Sequence, residues 1–207
     1  EEGIFIAQLM TSKKMIEVND IGNVVHEHLE FYSYESLKHL FEKNGLEIFK
    51  VEENGINGGS YRLFARHLSK GSVEYKEDIT KESYLKFREK IKENKEECVK
   101  LIRKLNDEGK NIYVYGDSTK GNTILQYYGL NKDLIKGAAE NHPEKIGKLT
   151  VGTHIPIVSE EEAKKDADYF LVLPFAFRDS FIKREKEWLK NGGKFIFCTP
   201  KLEIIEK

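Results

Sequence analysis

Two patterns of apolar and polar positions divide this chain. From residue 111 onward, short apolar runs alternate with stretches whose apolar residues recur at helical spacing. This strand–helix alternation predicts an α/β fold with a parallel sheet that helices cover on both faces. The predicted strands are 112–115, 135–139, 155–158, 169–173 and 194–198, and the predicted helices are 121–129, 160–166 and 177–190.

The first half of the chain follows a different pattern. A helix is predicted from Ser33 to a C-cap at Asn44-Gly45. Strands are predicted over 4–9, 46–52 and 60–67, and the short turn between the last two makes them antiparallel. The other predicted segments are an irregular stretch over 11–31, a linker over 70–78 and one long, charged helix over 81–109.

Composition narrows the class of protein. Of the 207 residues, 33% are charged and 39% are hydrophobic, which is enough to build a core. A net charge of −1 and a pI near 6.7 give no indication of a nucleic-acid or membrane partner. Neither Cys98 nor Cys198 belongs to a C-x-x-C pair. No zinc or disulfide framework is therefore predicted, and a reducing, cytoplasmic setting is expected.

Residues 113–123 form the most informative stretch. An apolar run stops at Gly116, and a loop of small and hydroxyl residues with Lys120 leads into a helical pattern. A strand that turns into a helix in this way points backbone N–H groups and the positive helix end at one spot, which favours a phosphate. The loop lacks both the P-loop order and the G-x-G-x-x-G fingerprint, so an ordinary polar N-cap is the alternative.

His26-Glu27-His28 is the second informative cluster. One histidine oriented by Glu27 could act as a general base near neutral pH. Two histidines at this spacing could also share a metal, although no third ligand lies at an obvious spacing. On the residues alone, an ordinary histidine pair without a catalytic role is favoured over both.

Two further segments carry weaker signals. Asn57-Gly58-Gly59-Ser60 is either a simple hairpin turn or a place where the backbone approaches a ligand closely. Pro174 to Arg178 follows a predicted strand, so Arg178 could pair with a phosphate there. Plain packing at a helix start is at least as good an explanation of that segment.

Taken together, these segments resemble a known family over nearly the whole chain and in order. They look like the C-terminal part of S-adenosylmethionine-dependent sugar C-methyltransferases, which act on nucleotide-linked deoxy-keto sugars. The matching runs are Ile16-Glu-Val-Asn, His26-Glu-His-Leu-Glu-Phe-Tyr-Ser, Asn44-Gly-Leu-Glu-Ile-Phe, Ile56-Asn-Gly-Gly-Ser-Tyr-Arg, Ser118-Thr-Lys-Gly-Asn-Thr, Thr150-Val-Gly-Thr-His-Ile-Pro-Ile-Val-Ser-Glu and Tyr169-Phe-Leu-Val-Leu-Pro-Phe-Ala-Phe-Arg.

The resemblance implies a three-part organisation: a zinc module, a Rossmann-type methyltransferase domain and a C-terminal α/β domain. This chain would carry the last strands of the truncated methyltransferase domain (1–68) and a linker with a long connecting helix (69–109). The remainder (110–207) would be a Rossmann-like domain that helps to hold the nucleotide-sugar. Most of the S-adenosylmethionine site, and the zinc, would lie outside this chain.

The resemblance also implies a mechanism. His28 matches the family's base and Glu27 its assisting carboxylate. The base would remove the acidic proton next to the sugar's ketone, and the enolate would attack the methyl group on the sulfonium. The family's tyrosine falls at Val25, which can neither donate to nor polarise the enolate oxygen.

Loop chemistry and resemblance together assign the substrate contacts, with a thymidine-linked sugar favoured. The assigned residues are Ser118, Lys120, Asn122, Thr123, Asn57 and Arg178. Two alternatives stay open: a non-catalytic nucleotide-sugar binding module, and a methyltransferase with a different acceptor because of Val25. The chain begins in what looks like a buried strand, so we expect a piece of a longer protein that is inactive by itself. Its open sheet edge predicts either self-association or packing of 1–68 on the C-terminal domain.

Overall fold

A computed structural model describes residues 3–206 of the chain. It contains two compact units, and the first comprises residues 3–18 and Glu27–Phe87. The second comprises Asn19–His26 and residues 88–206. Both units combine helices and strands, and the second has a mostly parallel sheet between helices, so the predicted α/β fold is confirmed.

The first unit is a three-stranded antiparallel sheet with one main helix packed on it. The sheet order is β1-β3-β2, and the 46–52 and 60–67 segments pair antiparallel as predicted. The elements are β1 (Phe5–Leu9), α1 (Ser12–Glu17), α2 (Tyr34–Lys43), β2 (Leu46–Asn54) and β3 (Ser60–His67). Helix α2 begins at the Ser33 capping box and ends before Asn44, close to the predicted bounds.

One face of this sheet is buried and one edge is open. The buried cluster joins α2 to alternate strand positions through Tyr34, Leu37, Phe41, Ile48, Tyr61, Leu63 and Ala65. Strand β1 lies at the edge of the described sheet, and Phe5 and Ile6 leave about half of their surface exposed (52% and 56%). Such an edge is a template for further strand pairing, so self-association stays a prediction.

Residues 69–80 belong to the first unit and contain no helix or strand. Hydrogen bonds to other residues of that unit hold the segment in place. Glu47 is fully buried on β2, and its carboxylate accepts hydrogen bonds from the backbone N–H groups of Ser69, Lys70 and Gly71 (2.6–2.8 Å). It also accepts a bond from Arg66 Nε at 2.7 Å. Together these bonds lower the pKa of Glu47 from 4.5 to about 2, against the opposing effect of burial.

The second unit is built on a six-stranded sheet in the order β6-β5-β4-β7-β8-β9. All neighbours pair parallel except β9, which runs antiparallel to β8. The strands are β4 (Ile112–Tyr115), β5 (Gly137–Glu140), β6 (Ile157–Ser159), β7 (Tyr169–Val172), β8 (Lys194–Phe197) and β9 (Glu203–Ile205). The helices are α3 (Lys81–Asp107), α4 (Thr119–Tyr128), α5 (Glu160–Asp166), α6 (Arg178–Arg184) and α7 (Lys186–Lys190).

Helices cover both faces of this sheet. Ile112 and Val114 of β4 point to one face, where α3 and α4 pack, and Tyr113 and Tyr115 point to the other, where α5 and α7 pack. The buried strands on both faces explain why the sequence shows apolar runs rather than alternation. Helix α3 is 27 residues long but highly charged, and no helix among residues 3–206 is apolar enough to cross a membrane.

Three local predictions were wrong. Residues 11–31 are not irregular throughout, because Thr11 caps the short helix α1, which is too brief to show an apolar period. Strand β9 was not predicted, since three residues carry little pattern. The helix expected over 177–190 breaks at Glu185, whose buried carboxylate accepts a hydrogen bond from the Tyr115 hydroxyl (2.6 Å).

We expect Glu47 to make the free energy of unfolding of the chain depend on pH in the acidic range. Because its folded pKa (about 2) lies below the usual 4.5, its contribution is complete above pH 4.5 and is lost as pH falls towards 2. Urea unfolding from neutral to acidic pH should show a steeper loss in the wild-type chain than in Glu47→Gln. Parallel pH profiles of the two proteins would contradict this assignment.

Candidate functional site

The order of the parallel strands reverses beside β4. The chain runs from β4 outward through β5 to β6, then returns to place β7 on the opposite side of β4. In sheets of this kind, ligands bind outside the carboxyl ends of the strands where the order reverses. The loop after β4 and the loop after β7 both begin at this point, so residues 116–118 and 173–177 lie at this part of the carboxyl edge.

The first turn of α4 supplies most of the predicted substrate contacts. Ser118 is its N-cap, and the Ser118 hydroxyl accepts a hydrogen bond from the Gly121 N–H at 3.0 Å. The hydroxyl hydrogen is still able to donate to an anion. The first N–H groups of a helix have no intrahelical acceptor, so those of Thr119 and Lys120 add two donors. A Cβ on Gly121 would lie 3.3 Å from Leu173, so glycine permits the close approach of α4 to the end of β7.

Asn122 contributes a buried acceptor to the same turn. Its Nδ2 donates to Asp117 Oδ1 (2.7 Å) and to the Ser118 carbonyl (3.2 Å), and these two acceptors fix the orientation of the amide. Its Oδ1 is buried and has no hydrogen-bond partner among the described residues. An unmatched buried acceptor is costly, and a ligand hydroxyl or N–H group would satisfy it. Thr123, one residue further on, donates to the Thr119 carbonyl (3.3 Å).

Lys120 is the cation of this turn, and it faces a carboxylate of the same unit. Its Nζ lies 3.5 Å from Asp20 Oδ2, and its side chain is 36% exposed. Asp20 belongs to a short segment, Asn19–His26, that we call the strap. The strap contains the 3-10 turn Ile21–Asn23, which packs against α4. The ammonium is thus within reach of solvent but already has an anionic neighbour.

A second charged group was missed in the sequence. Lys145 donates to the Asp117 carbonyl and to Glu140 Oε2 (3.3 Å), and its Nζ lies 3.7 Å from Asp117 Oδ2. The polar stretch after β5 was visible in the sequence, but the return of Lys145 to the β4 loop has no local signature. Asp20, Asp117 and Glu140 therefore face Lys120 and Lys145, so affinity for an anion must come largely from backbone N–H groups and the helix dipole.

Glu140 is fully engaged in holding this edge. Its carboxylate accepts hydrogen bonds from the N–H groups of Asn141 (2.8 Å), His142 (3.1 Å) and Asp117 (3.2 Å), besides Lys145. Burial alone raises the pKa of Glu140, but these bonds outweigh it and leave the pKa below its usual value. Glu140 therefore fixes the two loops that end β4 and β5 relative to each other.

Arg178 lies at the start of α6, and other side chains of the unit bind its guanidinium. It forms a two-pronged pair with Glu203 of β9 (3.1 and 2.9 Å) and donates to Asp179 (2.9 Å). Its guanidinium carbon lies 5.5 Å from the centre of the Phe197 ring. A phosphate contact would have to compete with Glu203, so this residue is weaker than α4 as a candidate.

Three of the predicted site residues belong to the first unit: Glu27, His28 and Asn57. The loops after β4 and β7 belong to the second unit, so the two sets are described separately. Glu27 lies in a turn and is exposed, as is His28, whose ring packs edge-on against Phe31 (6.5 Å between ring centres). Asn57 occupies the β2–β3 turn in the left-handed region (φ 55°), which asparagine tolerates. Val25 ends the buried part of the strap.

Metal binding by the His26-Glu27-His28 cluster finds no support in the geometry. Over residues 3–206, no three or more His, Cys, Asp or Glu side chains are grouped so that they could hold a metal ion.

Comparisons with known proteins show what family this chain resembles. A family model described as the C-methyltransferase C-terminal domain matches residues 55–200. The chain is also 30% identical over 217 aligned residues to C-methyltransferase NovU from Streptomyces niveus, covering 99% of this chain and 52% of that protein. The chain therefore spans about half the length of the curated relative that it matches.

Removal of the Ser118 hydroxyl should have two separable effects. Ser118→Ala is expected to lower the free energy of unfolding by about 1 kcal/mol through loss of the N-cap, and also to weaken the binding of thymidine diphosphate. Ser159 caps α5 in the same way, by accepting from the Glu162 N–H (3.1 Å), so Ser159→Ala is the matched control. It should lose similar stability but keep its affinity, and equal losses of affinity in both variants would count against the site.

Proposed function

The chain belongs to the C-methyltransferase family, and from that premise we propose that it is the substrate-binding part of an enzyme that methylates a carbon of a nucleotide-linked deoxy-keto sugar. The observation that carries this proposal is the first turn of α4 at the strand-order reversal, which we name the phosphate cradle (residues 117–123). A diphosphate is the part of such a substrate that this arrangement would recognise.

The cradle would hold the diphosphate through the first N–H groups of α4, the Ser118 hydroxyl and Lys120. Asn122 Oδ1 would accept a hydrogen bond from a hydroxyl or N–H group of the substrate, because it is buried and has no hydrogen-bond partner among the described residues. Hydrogen bonds to an ionised phosphate are roughly twice as strong as neutral ones, which offsets the carboxylates nearby. A thymidine-linked sugar is the substrate that we favour.

The chemistry is assigned to the exposed histidine of the first unit. His28 would take the proton from the carbon next to the ketone, and the electron pair of that C–H bond would pass into the enolate. Glu27 would orient the imidazole and stabilise its protonated form. S-adenosylmethionine supplies an electrophilic methyl group when it is bound. By resemblance to the family, most of its site is assigned to chain beyond this one.

Val25 favours a second candidate, an enzyme of the same family with a different acceptor. The family tyrosine would stand at this position, but here the side chain is buried in the strap (9% exposed). A valine supplies no hydrogen bond to an enolate oxygen, so that oxygen would need another donor or another acceptor atom would be methylated. The third possibility, a binding module without catalysis, requires the cradle but not His28.

The role of the cradle can be tested by binding alone. Lys120→Ala is expected to weaken the affinity of the chain for thymidine diphosphate several-fold in a calorimetric titration, since a charge-assisted contact is lost. Lys132 is an exposed lysine of the same unit, paired with Asp133 at 2.8 Å, and Lys132→Ala serves as the control. An unaltered affinity in Lys120→Ala would show that the cradle is wrongly placed.

The role of His28 needs the intact protein that contains this chain. Methyl transfer from S-adenosylmethionine to a thymidine-linked keto sugar, followed by mass spectrometry, should fall by roughly 100-fold or more in His28→Asn. His26→Asn is the control from the same motif and should retain activity. If His26→Asn abolishes transfer while His28→Asn does not, the base has been misassigned. If the intact wild-type protein methylates no keto sugar, the enzymatic proposal fails.

A further inference from the structure

The strap is attached to the second unit although the chain on both sides of it belongs to the first. Buried polar contacts hold its start. Asn19 is 4% exposed, and its Nδ2 donates to the Pro200 carbonyl (3.2 Å), which also accepts a bond from Asn94 of α3 (2.8 Å). The strap is therefore fixed to the loop that follows β8 before it reaches α4.

The middle of the strap lies directly on the first turn of the cradle helix. A Cβ on Gly22 would come within 2.9 Å of Asp20 Oδ1, 3.2 Å of Lys120 Cβ and 3.3 Å of the Lys120 carbonyl, so glycine permits this close approach. Asn23 is buried and donates to Asp20 Oδ2 (2.6 Å), which holds the carboxylate in place. The same carboxylate oxygen lies 3.5 Å from Lys120 Nζ.

Asp20 therefore places a negative charge beside the cation that the cradle offers to a ligand. A diphosphate near Lys120 would be attracted by the ammonium and repelled by the Asp20 carboxylate at short range. The two anions compete for one ammonium, so occupation of the cradle must weaken the Asp20–Lys120 pair. By thermodynamic linkage, the coupling is reciprocal. Loss of the Asp20–Lys120 pair must strengthen the binding of the diphosphate by the same factor by which the bound diphosphate weakens the pair.

We propose that Asp20 is a positioning residue that couples occupation of the cradle to the hold of the strap on α4. With the cradle empty, the Asp20–Lys120 pair helps to hold the strap on α4. When a diphosphate binds Lys120, the Asp20–Lys120 pair is weakened and the strap is loosened from α4. This coupling rests on the phosphate cradle proposed above.

Asp20→Asn tests the coupling with little change of shape. The amide keeps an oxygen for Asn23 but removes the charge that competes with a ligand. We expect the variant to bind thymidine diphosphate about two- to five-fold more tightly in calorimetric titration, the range of a partly exposed ion pair. Asp133→Asn, which removes the partner of Lys132, should leave the affinity unchanged.

A double variant tests whether Asp20 acts through Lys120. The alternative is that loss of the Asp20 charge simply makes the local potential more positive. In a Lys120→Ala background, Asp20→Asn should give no gain, because the competition acts through Lys120; a gain that persists would overturn the coupling. Hydrogen exchange gives an independent readout. The N–H of Val24 bonds to the Ile21 carbonyl and that of Val25 to the Asn23 carbonyl (both 2.9 Å), so both amides report on the strap.

Thymidine diphosphate should speed exchange at these two amides in the wild-type chain, and Asp20→Asn should exchange rapidly even without it. If the wild-type chain binds the nucleotide but Asp20→Asn binds no more tightly and strap exchange is unchanged, the coupling is wrong and the cradle stands. If the wild-type chain does not bind the nucleotide, the cradle itself fails and the coupling fails with it.

Discussion

The reversal of strand order beside β4 is the constraint on which the candidate site depends. Since β5 and β6 lie on one side of β4 and β7 and β8 on the other, the loops at the carboxyl edge must diverge there. The apolar contacts of β4 on both faces of the sheet fix its position, with Ile112 and Val114 on one face and Tyr113 and Tyr115 on the other. The start of α4 thereby lies at the strand-order reversal, a position that no local motif would specify.

The positive and negative side chains at this edge of the sheet balance one another, so the edge is not strongly positive. Lys145 is held by Asp117 and Glu140, and Lys120 faces Asp20, so the two lysines each have an internal anionic neighbour. In the proposed cradle, backbone N–H groups and the helix dipole would bind the anion, and the ligand would share the lysines with the protein. Because Lys120 would be shared with the ligand, binding would weaken its contact with Asp20 of the strap.

The sequence predicted the second sheet well and the charged contacts poorly. Strand 112–115 and helix 160–166 have the predicted bounds, because buried apolar runs and a serine cap are local signals. The neighbours of Lys145 and Arg178 were not predictable, because Glu140 and Glu203 reach them only through the folded topology.

Likewise, Cys98 and Cys198 are far apart in sequence yet lie together in the core. A hydrogen bond between the thiols, together with burial, raises the pKa of Cys98 there. The resemblance to sugar C-methyltransferases was confirmed at the level of the C-methyltransferase family, whereas the sugar, the base and the roles of the site residues stay predictions.

The central claim is that this chain recognises the nucleotide diphosphate of a substrate whose methyl donor is bound elsewhere. The most direct measurement is a calorimetric titration of the chain with thymidine diphosphate and, separately, with S-adenosylmethionine. We predict saturable binding of the nucleotide and no binding of the methyl donor. Binding of S-adenosylmethionine without the nucleotide, or of neither, would contradict the assignment of residues 117–123 as a phosphate cradle in this chain.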